Sequence, residues 1–181
     1  MSDREALCGA GEDLVRQIGE AMARVDWDGF VALSRRLARA RFTFVTGAGR
    51  SGLVARGFGM RLMHTGLQAY IPGETITPAA GPEDLLVAIS CTGTTGYTDY
   101  MARRARELGA SVAVITAEAG SPLARLGHQV LVIPVSAGSI VVRAAVFEHS
   151  ASLCLDAVFN VLAEQLKLDT EAYQQRHANL Q

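Results

Sequence analysis

Cysteine is scarce: Cys8, Cys91 and Cys154 lie far apart and none belongs to a C-x-x-C pair. That excludes a disulfide framework and points to a reducing, cytoplasmic setting. An excess of one charge is also missing. Lys+Arg number 17 against Asp+Glu 18, a net charge of −1, so no broad basic field exists to attract nucleic acid. The local clusters Arg35-Arg36 and Arg103-Arg104-Ala105-Arg106 fall in helical patterns and read as solvated helix faces. The opening Met1-Ser2-Asp3-Arg4-Glu5 lacks the basic-then-apolar order of a signal peptide. No apolar stretch approaches the ~20 residues that span a bilayer. A soluble, cytoplasmic protein is expected.

What is present is 49% hydrophobic and 19% charged over 181 residues, which excludes general disorder and fits one well-covered α/β domain spanning 1–181. Helical spacing of Leu7, Leu14, Ile18, Ala21 and Met22 predicts a helix over 3–24, and Asp26 or Asp28 can cap a second, running to Arg39. Short apolar runs then alternate with helical patterns. Strands are expected at Phe42–Thr46, Gln68–Ile71, Asp84–Ile89, Ser111–Ile115 and Val130–Ile133. Helices are expected at Gly52–Thr65 and Tyr97–Leu108, with a short one opening at Ser121-Pro122, and at Arg143–Leu166 and Asp169–Asn179. N-terminal helices (1–40), a sheet core (41–135) and C-terminal helices (143–181) follow. Continuous apolar strands between helices imply a three-layer α/β sandwich around a five-stranded parallel sheet.

Two loops stand out. Gly47-Ala48-Gly49-Arg50-Ser51-Gly52 follows the first strand, and Ser90-Cys91-Thr92-Gly93-Thr94-Thr95-Gly96 follows the third. Glycines let backbone amides approach an anion, and the helix behind each loop offers unpaired N–H groups. Ser90, Thr92, Thr94 and Thr95 add hydroxyl donors suited to a phosphomonoester, although hydroxyls also cap helices and form turns. If the first and third strands are neighbours where the strand order reverses, both loops face one crevice. The first loop also matches the G-x-G-x-x-G dinucleotide fingerprint, with Glu74 near the place of a ribose-binding carboxylate. That nicotinamide reading leaves the second loop unexplained. A sugar-phosphate sensor without catalysis fits the loops equally well, but no helix-turn-helix region or basic arm accompanies them.

The first loop with Met60-Arg61-Leu62-Met63-His64, the segment Gly73-Glu74-Thr75-Ile76-Thr77-Pro78, Phe147-Glu148 and the tail His177-Ala178-Asn179-Leu180 resemble the sugar isomerase (SIS) domain. Within it they are most similar to the 6-phospho-3-hexuloisomerases. The chain departs from that pattern at three places. Thr94 stands where the second loop of the family usually has Glu, Val141–Val146 replaces a Pro-Met-Gly stretch, and Gln181 replaces a terminal Glu.

The resemblance implies a flavodoxin-like SIS fold and interconversion of D-arabino-3-hexulose 6-phosphate with D-fructose 6-phosphate through a cis-enediol, a step of formaldehyde assimilation by the ribulose monophosphate pathway. Alternatives are an isomerase of another phosphosugar and a non-catalytic binding protein. By resemblance Glu148 is the base, His177 assists proton transfer, and His64 is a second candidate histidine. Gly49, Arg50, Ser51, Ser90, Thr92, Thr94, Thr95 and Glu74 are the expected substrate- and phosphate-binding residues. His128 and His149 have no partners at metal-ligand spacing, so no metal and no cofactor are expected. The resemblance further implies a homotetramer with sites at subunit borders, and no nucleic-acid or membrane partner.

Overall fold

The computed structural model describes residues 2–136 and 139–179; Leu180, part of the tail resemblance, and Gln181, one of the departures from it, lie outside the described residues. The chain runs α1 (Asp3–Met22), α2 (Trp27–Leu37), β1 (Thr43–Gly47), α3 (Gly49–His64), β2 (Ala69–Tyr70), β3 (Leu85–Ile89), α4 (Gly96–Glu107), β4 (Ser111–Thr116), β5 (Gln129–Val132), α5 (Ile140–Gln165) and α6 (Thr170–Gln175). The strands form one parallel sheet in the order β2-β1-β3-β4-β5. The order reverses between β1 and β3, whose residues pair from Thr43–Leu85 to Gly47–Ile89.

Strand side chains alternate between two cores, as the two-residue period of a strand requires. Val45, Leu85, Val87, Ile89 and Ile115 point to the larger core with Leu33, Phe58, Leu62, Phe147 and Leu155 from α2, α3 and α5. Phe44, Leu86, Ala88, Val112 and Val114 point to the smaller one with Ala102, Ala105 and Leu123. Asp84 latches the start of β3. Its buried carboxylate accepts from the Arg41 guanidinium at 3.0 and 2.7 Å and from the backbone N–H groups of Phe42 and Gly81.

Several boundaries differ from the sequence expectation for local reasons. α3 starts at Gly49 rather than Gly52, because Gly49 takes a left-handed φ of +56° that turns the chain directly into the helix. α5 starts at Ile140 rather than Arg143, because the Ser139 hydroxyl accepts from the Val142 N–H and caps it. Ser121 does accept from the Ala124 N–H, but only a single 3-10 turn forms, at Ala124–Leu126. α6 ends at Gln175, leaving His177 and Asn179 beyond it. α5 is long and apolar enough to cross a membrane by length and composition, contrary to the expectation from the sequence. In the fold, 56% of its most apolar window is buried, and its inner face is core.

Candidate active site

A crevice of about 250 Å³ opens beyond the carboxyl ends of β1 and β3, where the strand order reverses. Ser51 lines it from α3, Ser90, Thr92 and Thr95 from the loop after β3, and Ile140 and Arg143 from α5. The glycines shape the first wall. A Cβ on Gly47 would meet the backbone of Ser51 at 2.8 Å, and one on Gly52 would meet the Gly47 carbonyl oxygen at 2.8 Å. Only a glycine at each place lets the strand end and the first turn of α3 touch backbone to backbone. Gly93, with a φ of +61°, lies so near Ser121 that any side chain would overlap it.

Helix capping separates this region from the rest of the molecule. α1, α2, α5 and α6 each have a side-chain oxygen accepting from a first-turn N–H group, namely Ser2, Asp26, Ser139 and Asp169. α3 and α4 have none, and their N-cap residues, Ala48 and Thr95, both line the crevice. Of the three helix starts at the cavity, that of α5 is capped by Ser139, and the two left open are those of α3 and α4, which suits them to an anion. The loop hydroxyls are held in place by bonds within the loop. Ser90 Oγ accepts from the Gly93 N–H and lies 3.2 Å from Thr95 Oγ1, while Thr92 Oγ1 lies 2.9 Å from Thr94 Oγ1. Thr94 itself is exposed and braces Thr92 from outside the lining.

Glu148 is buried at 8% exposure, one turn along α5 from Ala144 in the crevice wall. It lies two turns inside the helix rather than near its start, since α5 begins at Ile140. Its Oε2 pairs with Arg50 Nε at 2.5 Å, so the arginine of the first loop orients this carboxylate. Burial pushes the Cys91 thiol up; Arg143 acts against this, and Glu118 and Glu148 reinforce it. The fields of those three charges meet at the loop after β3.

His64 and His177 come together, but elsewhere. Their rings stack at 4.1 Å, with Tyr173 edge-on to both, beside a separate hollow of about 790 Å³. His64 ends α3 whereas Ser51 begins it, and thirteen residues of helix at 1.5 Å each put them roughly 20 Å apart. The ring contacts of the histidines are with each other and Tyr173, whereas the ion-pair partner of Glu148 is Arg50. Glu74 is paired with Arg56 at 2.6 Å, outside the crevice lining, so its carboxylate is committed to an ion pair. Arg143 is the charged residue of the crevice lining, and the sequence reading gave it no role there. Its signal was a lone cation inside the apolar run Val141-Val142-Arg143-Ala144-Ala145-Val146.

The SIS domain family model matches residues 36–159. The chain is 38% identical over 176 residues to the 3-hexulose-6-phosphate isomerase of Mycobacterium gastri, covering 93% of this chain and 88% of that one. It is 37% identical over 147 residues to the enzyme of the same name from Methylomonas aminofaciens, covering 77% and 80%. Among solved structures, a hypothetical protein from Methanococcus jannaschii, for which a 3-hexulose-6-phosphate isomerase function was inferred, superposes with a TM-score of 0.84. The identity there is 28%, covering 92% of this chain and 98% of that one.

Proposed function

The chain belongs to the SIS domain family, and we propose that it is a 3-hexulose-6-phosphate isomerase, interconverting D-arabino-3-hexulose 6-phosphate and D-fructose 6-phosphate. The observation that carries the site assignment is a buried carboxylate, Glu148, held by Arg50 beside a crevice walled by uncapped helix starts and hydroxyls. In this reading Ser51, Ser90, Thr92 and Thr95 hold the substrate phosphate, with amides from the first turns of α3 and α4. Glu148 takes the proton from C2 of the 3-ketose and returns it at C3. The O2 proton moves to O3, so the C3 carbonyl becomes an alcohol as the C2 alcohol becomes the carbonyl. Arg50 keeps the carboxylate aimed. The reaction is internally balanced and needs no external oxidant or reductant.

His177 is assigned the transfer between O2 and O3, from a neighbouring subunit of a homotetramer. Two features support this. The histidine pair lies roughly 20 Å from the crevice of its own subunit, about the length of α3. Every residue from Ser2 to Asp13 of the α1 region is exposed, and isolated helices of that length are marginal in water, so α1 is suited to packing on another copy.

The test supplies the substrate with hexulose-phosphate synthase, formaldehyde and ribulose 5-phosphate, and follows fructose 6-phosphate. The wild-type protein is expected to produce it. Glu148→Gln should stay folded, bind fructose 6-phosphate within a few-fold of wild type, and lose about 10²- to 10⁴-fold in kcat. Near-normal turnover by that variant would remove Glu148 from the role of base.

A further inference from the structure

α5 enters the crevice through an apolar stretch broken by one charge, Arg143. Its Nη2 is paired with Glu118, on the loop after β4, and its Nε is buried with no hydrogen-bond partner. A guanidinium presents five N–H donors in a rigid fork suited to two oxygens at once. A single carboxylate leaves part of that fork unused, and a charged donor kept dry and unpaired is costly. The other cation near the crevice is already engaged, because Arg50 is bound to Glu148 at 2.5 Å. The remaining donors around the crevice are hydroxyls and amides, all uncharged. A cation beside those donors would strengthen their hold on a phosphate dianion, and Arg143 is the arginine lining the crevice. Glu118 is half-exposed, so water already weakens its hold and a dianion can compete with it.

We propose that Arg143 is a substrate-binding residue that engages the phosphate of the phosphosugar, with Glu118 as the positioning residue that holds the guanidinium at the crevice wall. The proposal rests on the phosphosugar reading of the crevice, and it is independent of whether Glu148 performs the chemistry. Because the phosphate does not react, its contact strengthens ground state and transition state alike.

Calorimetric titration with inorganic phosphate and with fructose 6-phosphate tests this directly, alongside kinetics. Arg143→Met is expected to raise both dissociation constants by about 10- to 100-fold, the range of a charge-assisted contact. KM should rise by a similar factor while kcat stays within a few-fold. Arg143→Gln, which keeps a polar head without the charge, is held to the same thresholds and decides the matter if the Met variant does not fold. Dissociation constants within twofold of wild type would overturn the proposal. So would weaker fructose 6-phosphate binding with unchanged inorganic phosphate binding, because the contact would then be to the sugar. Wild-type protein that binds fructose 6-phosphate but does not isomerise the 3-hexulose would defeat the isomerase reading alone. Arg143→Met would still have to weaken binding. Wild-type protein that binds neither ligand would defeat both.

Discussion

Burial lowers the pKa of His64 from the ordinary histidine value, and His177 and Arg61 push it the same way. The groups facing it are the stacked His177 ring, the Tyr173 ring, Arg61 on its own helix, and Arg176, whose guanidinium donates to the His64 carbonyl at 3.2 Å. Asp156, which lines the same hollow, is engaged by Arg61 at 2.7 Å rather than by His64. With the folded pKa below the unfolded one, the unfolded or undocked state binds the proton first. Docking of the tail on α3 is therefore at full strength above about pH 6.5 and weakens as pH falls towards the folded pKa. Hydrogen exchange over residues 170–179, corrected for the intrinsic pH effect, should quicken between pH 7 and pH 5. His64→Asn should flatten that dependence. Equal protection at both pH values in the wild type would refute the coupling.

The two loop-to-helix elements owe their shape to glycines with different duties. Gly49 needs only a left-handed φ in open space, whereas Gly93 combines a φ of +61° with Ser121 packed against it. Gly49→Ala should accordingly cost about 1 kcal/mol and Gly93→Ala about 2–4 kcal/mol, strain adding to overlap in the second. Urea denaturation of both variants measures the ranking, and a Gly49 variant less stable than the Gly93 variant would contradict it. The same elements show how α5 combines structure and function. Its inner face fills the larger core with Phe147, Ala151 and Leu155, and its N-terminal half carries Arg143 and Glu148 beside the crevice.

For the whole molecule, the separation of the histidine pair from the crevice makes the proposed composite site testable by mixing. Glu148→Gln and His177→Ala should each be nearly inactive alone. If Glu148 and His177 of one site come from different subunits, co-assembled mixtures contain sites with both native residues. An equal mixture should recover up to about a quarter of wild-type activity, the statistical share of such sites. Recovery absent from a mixture shown by native mass spectrometry to contain hybrids would rule out a shared site.

Local features determined much of this protein. Alternating apolar runs and helical periods announced the parallel α/β sheet, and the glycine and hydroxyl loops marked the segments that wall the crevice, because turn chemistry and side-chain period are properties of neighbouring residues. Residues distant in sequence met in ways that only the tertiary structure decided. Arg50, expected on substrate oxygens, lies against Glu148, and Glu74 lies against Arg56. Arg143, which the sequence placed at a helix start, became part of the crevice wall when Ser139 began that helix one turn earlier. His64 and His177 meet each other rather than the crevice of their own subunit, because a rigid sixteen-residue helix separates the two ends of α3. Which side chains touch across elements depends on helix phase, helix length and packing, and no short stretch of sequence carries that information.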